Sequence, residues 1–330
     1  MASALIQRLP YPAQLLVFIL FSSVAVLGFI VVMALFMIWF ERKIIGHLQS
    51  RIGPLHVGKY FGWAQPIADT LKLFLKEDIV PRNADKVIFT IAPVVAFVSS
   101  FMAYVTIPFA KNLVAKDINM GILYIFAVSS FATIGIFMGG WASNNKYSLL
   151  GAMRVAAQIV SYEVPLLLSV LGVAMLAETL SLTRIVEAQR NTWYVFYQPV
   201  GFFIYFTAGV AEVNRLPFDI PEAEAELVAG FHTEYSGLKW AFFFLSEYAN
   251  MFIISAVATV LFLGGWLGPF LPGLIWFLLK AFFLMFIMVW VRGTYPRLRV
   301  DQMMGFCWKF LLPLAFLNII LTGLIMVLAG

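Results

Sequence analysis

The chain has 330 residues, 62% of them hydrophobic and 12% charged, with a mean hydropathy of +0.92. A soluble domain carries roughly 25% charged residues, so a water-soluble globule is excluded. The formal charge of +5 is small and dispersed, which argues against a nucleic-acid partner. The one cysteine, Cys307, excludes an internal disulfide and any multi-cysteine metal or iron–sulfur site.

A membrane-crossing helix needs roughly 20 mostly apolar residues, because its backbone must satisfy its own hydrogen bonds. Eight runs answer to this in chain order: 13–40, 87–109, 119–141, 152–176, 198–213, 238–263, 271–291 and 304–328, with 198–213 the shortest. The expected fold is an all-α polytopic membrane protein, one membrane domain over 1–330 with no soluble second domain. The first run is too long for a signal peptide, and Arg42-Lys43 follow it rather than precede it. Residues 60–76 are too polar to span. Trp63, Ile67, Leu71 and Phe74 form one stripe and Gln65, Asp69, Lys72 and Lys76 the opposite one, which predicts an amphipathic helix at the membrane interface. Pro66 suits its first turn; a plain surface anchor fits the same periodicity. No internal repeat is visible, which counts against an inverted-repeat transporter.

Most of the 22 basic residues fall on the connections 1–2, 3–4, 5–6 and 7–8. The positive-inside rule places that face in the cytoplasm and both termini outside. The same face is rich in acids, so it is more than a basic anchor. Charged residues also enter the spans: Glu163 in the fourth, Glu247 in the sixth and Lys280 in the seventh, with Glu41 and Glu212 closing the first and fifth. An ionised side chain at a helix centre costs about 2.5–3.5 kcal/mol on insertion scales, so these groups pair or line a wet cavity. Static Glu–Lys pairing is the plainer alternative. Buried carboxylates with raised pKa values can instead hold and pass protons. Pro165, two residues after Glu163, can kink that span. The connection 212–237 holds the densest acidic set, with Glu222, Glu224 and Glu226 two apart. It reads either as a solvated acidic helix cap or, given its flanking Phe218, Leu227, Val228 and Phe231, as a buried cluster of repelling carboxylates. His47, His56 and His232 show no ligand spacing.

Seven segments carry a family resemblance: ERKIIGHLQSRIGP (41–54), ADTLKLFLKED (68–78), GGWASNNKYSLLGAMR (139–154), AQIVSYEVP (157–165), AEVNRLPFDIPEAEAELVAGFHTEYSG (211–237), SEY (246–248) and RGTYPRLRVDQMM (292–304). Together they resemble the quinone-chamber membrane subunit of respiratory complex I, the NADH–quinone oxidoreductase of bacteria and mitochondria. The resemblance implies an eight-helix subunit whose cytoplasmic loops form the lower quinone tunnel. It assigns Arg42, Arg51, Trp63, Asp69, Phe231, Arg292 and Arg297 to that tunnel. It assigns Glu41, Glu163, Glu212, Asp219, Glu222, Glu224, Glu226, Glu234 and Glu247 to an acidic funnel that couples quinone reduction to proton pumping. Arg215 braces the loops. Quinone is the expected substrate, admitted between helix 60–76 and spans 1 and 7. No cofactor or metal is expected in this chain; flavin and iron–sulfur clusters belong to partner subunits. Expected partners are hydrophilic redox subunits on the cytoplasmic face, antiporter-like and small membrane subunits alongside, and lipid, in the bacterial cytoplasmic membrane. Leu55-His56 follow Gly53-Pro54 where the family usually has Asn. The related subunit of an energy-converting hydrogenase, or of a ferredoxin- or F420H2-fed complex, is the main alternative. A stand-alone ion transporter is a distant one.

Overall fold

A computed structural model describes residues 11–221 and 224–329. The helices, in chain order, are α1 (Tyr11–Leu48), α2 (Gln65–Leu75), α3 (Lys86–Ala103), α4 (Gly121–Ala142), α5 (Lys146–Ala177), α6 (Leu182–Ala188), α7 (Tyr194–Tyr197), α8 (Pro199–Glu212), α9 (Glu224–Leu227), α10 (Gly237–Phe262), α11 (Gly273–Thr294), α12 (Val300–Phe306) and α13 (Leu312–Ala329). A π-helical turn, Cys307–Leu311, joins the last two. Among the described residues there is no strand, only an isolated bridge between Ala110 and Leu113. Seven helical segments are long and apolar enough to cross a membrane. The remaining apolar run, the fifth, is α8, at 14 residues. Its length is about 21 Å, short of the roughly 30 Å hydrocarbon core.

The helix ends follow local chemistry. Asp85 caps α3 by accepting from the amides of Val87 and Ile88 at 3.2 and 3.4 Å. Asn145 accepts from the Tyr147 amide at 2.9 Å, so α5 starts at Lys146, before its apolar run. α1 likewise continues through Glu41-Arg42-Lys43 to Leu48, which puts three charged side chains on a rigid element. The amphipathic helix is shorter than its polar stripe suggests. Lys59, Phe61 and Gly62 have φ of 62°, 58° and 66°, which a right-handed helix cannot accommodate. The helix therefore begins at Gln65 with Pro66 in its first turn, and Trp63 belongs to the preceding turn.

α10 is the centre of the bundle. From Met251 to Phe262 it is buried without a break, and Tyr104, Phe252, Phe262 and Phe277 are fully enclosed around it. α3 and α4 pack closely because Gly135 has no side chain; a Cβ there would lie 2.6 Å from the Ala96 nitrogen. α1 turns Leu16, Phe18, Leu20, Phe21 and Val24 outward, as a lipid-facing helix does. The π-helical turn docks on the middle of α5. The Cys307 thiol donates to the Ser161 carbonyl at 3.0 Å and Tyr162 donates to the Met303 carbonyl at 2.9 Å. A π-helical turn leaves i−4 carbonyls without their usual partners, and such turns often mark functional positions.

Candidate functional site

Four cavities meet around the first half of α10. An apolar one of about 210 Å³ lies between α1, α2 and α10, lined by Val31, Leu35, Phe74, Leu238 and Phe242. It shares Ile38, Thr70, Leu73 and Phe244 with a cavity of about 500 Å³, lined further by Arg42, Asp69, Lys72 and Trp240. That one shares Ile38, Arg42 and Phe244 with the largest, about 830 Å³, whose walls include Glu41, Arg51, Leu55, His56, Tyr248 and Arg292. The apolar cavity lies against α10, the sixth apolar run, rather than against α11, the seventh. Between α1 and α11 aromatic packing fills the space, with the Phe36 and Phe282 rings 5.6 Å apart.

The fourth cavity, about 200 Å³, is a carboxylate chamber. Glu212 at the end of α8 and Glu247 on α10 line it, with Asn214, His232, Asn250, Ser129 and Thr133. Glu163 adjoins it: the Ser130 hydroxyl donates to its Oε1 at 3.0 Å, and it lies within electrostatic reach of Glu212. Oε2 of Glu212 is buried without a hydrogen-bond partner in the described protein. Phe244 and, beside it, Trp240 and Tyr248 form an aromatic ladder on α10, at ring separations of 4.8 and 5.0 Å. Phe244 is on the wall of all four cavities.

A chain of ion pairs crosses the wall between the largest cavity and the chamber. Glu41, 5% exposed, receives Nη1 of Arg215 at 3.0 Å on both oxygens and the Tyr248 hydroxyl at 2.8 Å. It also pairs with Arg292. Nε of Arg215 lies 2.8 Å from Oε1 of Glu247, and its guanidinium sits 4.6 Å over the Tyr248 ring. Burial disfavours the charged form of Arg215, but Glu247 and Glu41 outweigh it and hold the guanidinium well above its ordinary pKa. Arg215 therefore stays a cation at any accessible pH. Two carboxylates and two guanidiniums alternate, which is how buried charges balance.

The connection 213–236 is fastened from several sides. Gln158 donates through Nε2 to the carbonyls of Ala211 and Phe218 at 2.7 and 2.8 Å. Arg297 pairs with Asp219 at 3.0 Å, and the Leu298 amide donates to the Pro217 carbonyl at 3.0 Å. Arg154 pairs with Glu226 at 2.6 Å and Asn145 donates to Glu234 at 2.6 Å. Tyr235 stacks on Phe89 at 4.0 Å and donates to its carbonyl at 3.1 Å; burial raises its phenolic pKa.

The residues singled out in the sequence thus separate. Arg42, Arg51 and Arg292 gather at the largest cavity, with Asp69 bonded to Arg42 at 2.5 Å. Arg51 also donates to Gln49 at 2.7 Å. Trp63 is exposed and donates to the Gly58 carbonyl at 3.1 Å, away from the cavity walls described above. Phe231 lines the carboxylate chamber, not the largest cavity. Glu212, Glu247 and the adjoining Glu163 come together; Glu41 sits between the two cavities. Asp219, Glu226 and Glu234 each have their own partner outside the chamber. Glu222 and the side chain of Glu224 lie outside the described residues. Lys280 does not meet the carboxylates: its Nζ donates to the carbonyls of Leu263, Gly265 and Leu267 at 2.7, 3.1 and 2.8 Å. Sequence reasoning does not point to Tyr248, Asn250, Asn214, Ser130 or His232 at the site. Asn250 and Ile254 follow Glu247 at helical spacing, a stripe that is legible; Ser130 and Asn214 carry no comparable signal.

Residues 21–323 match the family model described as NADH dehydrogenase. The chain is 56% identical over 306 residues to the H subunit of NADH-quinone oxidoreductase from Bacillus thuringiensis subsp. konkukian (strain 97-27), covering 91% of this chain and 90% of that protein. The H subunits from Bacillus thuringiensis (strain Al Hakam) and Bacillus cereus (strain AH187) are each 55% identical over the same shares. With apolar helices of membrane-crossing length and buried charges ranged along α10, the chain belongs to the H-subunit family of NADH–quinone oxidoreductase, the multi-pass membrane subunit of complex I.

Proposed function

We propose that this chain forms the membrane half of the quinone path in a proton-translocating NADH–quinone oxidoreductase and relays the outcome of quinone reduction to a proton-holding chamber. The apolar cavity between α1, α2 and α10 admits the quinone tail from the bilayer. The joined cavities lead the head group past Arg42 toward Arg51 and Arg292. Electrons arrive from partner subunits that carry flavin and iron–sulfur clusters, since this chain has no multi-cysteine site for a redox centre. The hydrophilic partners dock on the face that carries the connections 49–64, 213–236 and 295–299. That face is cytoplasmic in a bacterial plasma membrane, by the excess of Lys and Arg on it, and antiporter-like subunits flank the chain in the bilayer.

The observation that carries this reading is the ion-pair chain Arg292–Glu41–Arg215–Glu247, which joins the largest cavity to the carboxylate chamber. A change of charge beside Arg292 or Glu41 alters the field at Arg215 and hence at Glu247 over a low-dielectric path. Proton affinity in the chamber then follows the state of the quinone site. Glu247→Gln in the assembled enzyme tests this. Quinone reduction and proton pumping are expected to fall together while reduction of a hydrophilic artificial acceptor persists. Wild-type quinone reduction and pumping in a fully assembled Glu247→Gln enzyme would contradict it.

A further inference from the structure

The carboxylate chamber has an imidazole at one end. His232 closes the 3₁₀ turn Gly230–His232 and lines the chamber with Glu212 and Glu247. The turn is seated firmly on α5. The Ser148 hydroxyl donates to the carbonyls of Gly230 and Phe231 at 3.3 and 3.2 Å. Gly151 allows the close approach, since a Cβ there would stand 2.8 Å from the Phe231 nitrogen. The ring of His232 meets Phe231 edge-on at 4.9 Å and Trp240 at 6.3 Å. Trp240 precedes Glu247 by seven residues on α10, about 10 Å along the axis. His232 therefore lies toward the loop end of the chamber, half-buried like Glu212 and Glu247. Between them the wall offers neutral hydrogen-bonding groups, Ser129, Thr133 and Asn250, and the volume of about 200 Å³ suits a short file of water.

Among the described residues, the charged groups that line the chamber are acidic, and Arg215 pairs with Glu247 from behind the wall. α10 contributes Glu247 and the end of α8 contributes Glu212. α5 adds Glu163, behind the Ser130 hydroxyl of α4. The chamber walls from α3 and α4 contribute no charged group among the described residues. In the same loop segment, Glu234 is occupied by Asn145 and Glu226 by Arg154. Imidazole is the side chain whose ordinary pKa lies between pH 5 and 8, and its two nitrogens can accept on one side and donate on the other.

We propose that His232 is the proton-exchange group of the chamber. It takes a proton from the loop-side surface on one ring nitrogen and releases the proton of the other nitrogen to water leading to Glu247 and Glu212. Return to the starting tautomer restores the ring, so one proton crosses and no electrons move. This rests on reading the chamber as the coupling site.

The test uses the assembled enzyme in inverted membrane vesicles with His232→Gln and with His232→Phe, which keeps an aromatic ring against Trp240. Quinone reduction is followed from about pH 6 to about pH 9, with and without added imidazole, beside artificial-acceptor reduction. Both variants are expected to match wild type at the acid end and to fall roughly tenfold below it at the alkaline end, where proton supply limits turnover. Free imidazole should restore the alkaline rate. A wild-type pH profile in either assembled variant overturns the proposal, as does a loss that is uniform in pH and indifferent to imidazole, which marks a packing role. Glu247→Gln, measured in parallel, separates the two readings. If it slows turnover while the His232 variants keep the wild-type profile, only the exchange role fails; if it leaves turnover unchanged, the coupling role of the chamber fails and the exchange role with it.

Discussion

Replacing Arg215 by methionine removes the cation that Glu41 and Glu247 share. Glu41 keeps Arg292 and Tyr248, so the larger loss falls on Glu247. Breaking a buried ion pair by removing one partner costs about 3–5 kcal/mol. The Glu247 side chain is 23% exposed, which lets solvent screen part of the penalty and places the loss near the low end, roughly 3 kcal/mol. In Arg215→Met/Glu247→Gln the carboxylate that lost its guanidinium is gone, so the double variant should recover part of the loss, with a coupling of about 2 kcal/mol. Thermal melting of the purified enzyme across the four proteins of this cycle is the assay, and the double variant should melt above the sum of the single losses. The Arg215 pKa is raised on folding, so its stabilisation is complete below the unfolded guanidinium value and is lost only as pH rises through the still higher folded one. The coupling should therefore be constant from about pH 6 to about pH 9. Strict additivity within about 0.5 kcal/mol would refute the shared-cation reasoning.

Phe244→Ala should remove the aromatic wall common to the four cavities. Truncating a buried Phe costs about 3–5 kcal/mol, less for a half-buried one. The characteristic outcome is functional: proton pumping per quinone reduced should fall more than quinone reduction itself, because water gains a path between the chamber and the other three cavities. An unchanged ratio would show that the ladder only packs. Tyr235→Phe should cost about 1 kcal/mol near neutral pH through the lost bond to the Phe89 carbonyl. Burial raises the Tyr235 pKa, so the native state loses stability as pH rises above the ordinary value near 10. That alkaline loss should shrink in the variant when melting is compared at neutral and alkaline pH.

Hydropathy reads the long spans well because lipid-facing helices such as α1 are apolar all round. It misjudges their ends, where Asn145 and Asp85 act as caps and where α1 carries three charged residues as a rigid helix. Positive φ at Lys59, Phe61 and Gly62 explains why the amphipathic stripe outruns its helix: periodicity registers side-chain type, not the backbone of the turn before it. Glu163, Glu212 and Glu247 are legible because a carboxylate in or at the end of an apolar run is costly. Their partners are not. Glu41 and Arg215 are far apart in sequence, and nothing local in either segment names the other. Lys280 is the natural counter-ion by charge alone, yet the carbonyls of the turn that follows α10, those of Leu263, Gly265 and Leu267, claim its ammonium.

That ammonium has a mechanical consequence. Lys280 binds three carbonyls of residues 263–267 and lies 4.5 Å over Trp193, while Gln189 donates to the Val260 carbonyl at 2.8 Å and accepts from the Gly264 amide at 3.0 Å. One tip of α10 is riveted, whereas its other tip carries Trp240, Phe244 and Glu247 among cavities. The unbroken buried stretch from Met251 to Phe262 extends that anchorage along half the helix. Any adjustment of α10 is therefore confined to its other half, where Glu247 lies about 6 Å along the axis from Met251. The 2.8 Å contact between Glu247 and Arg215 is the ion pair that a bend there would strain first.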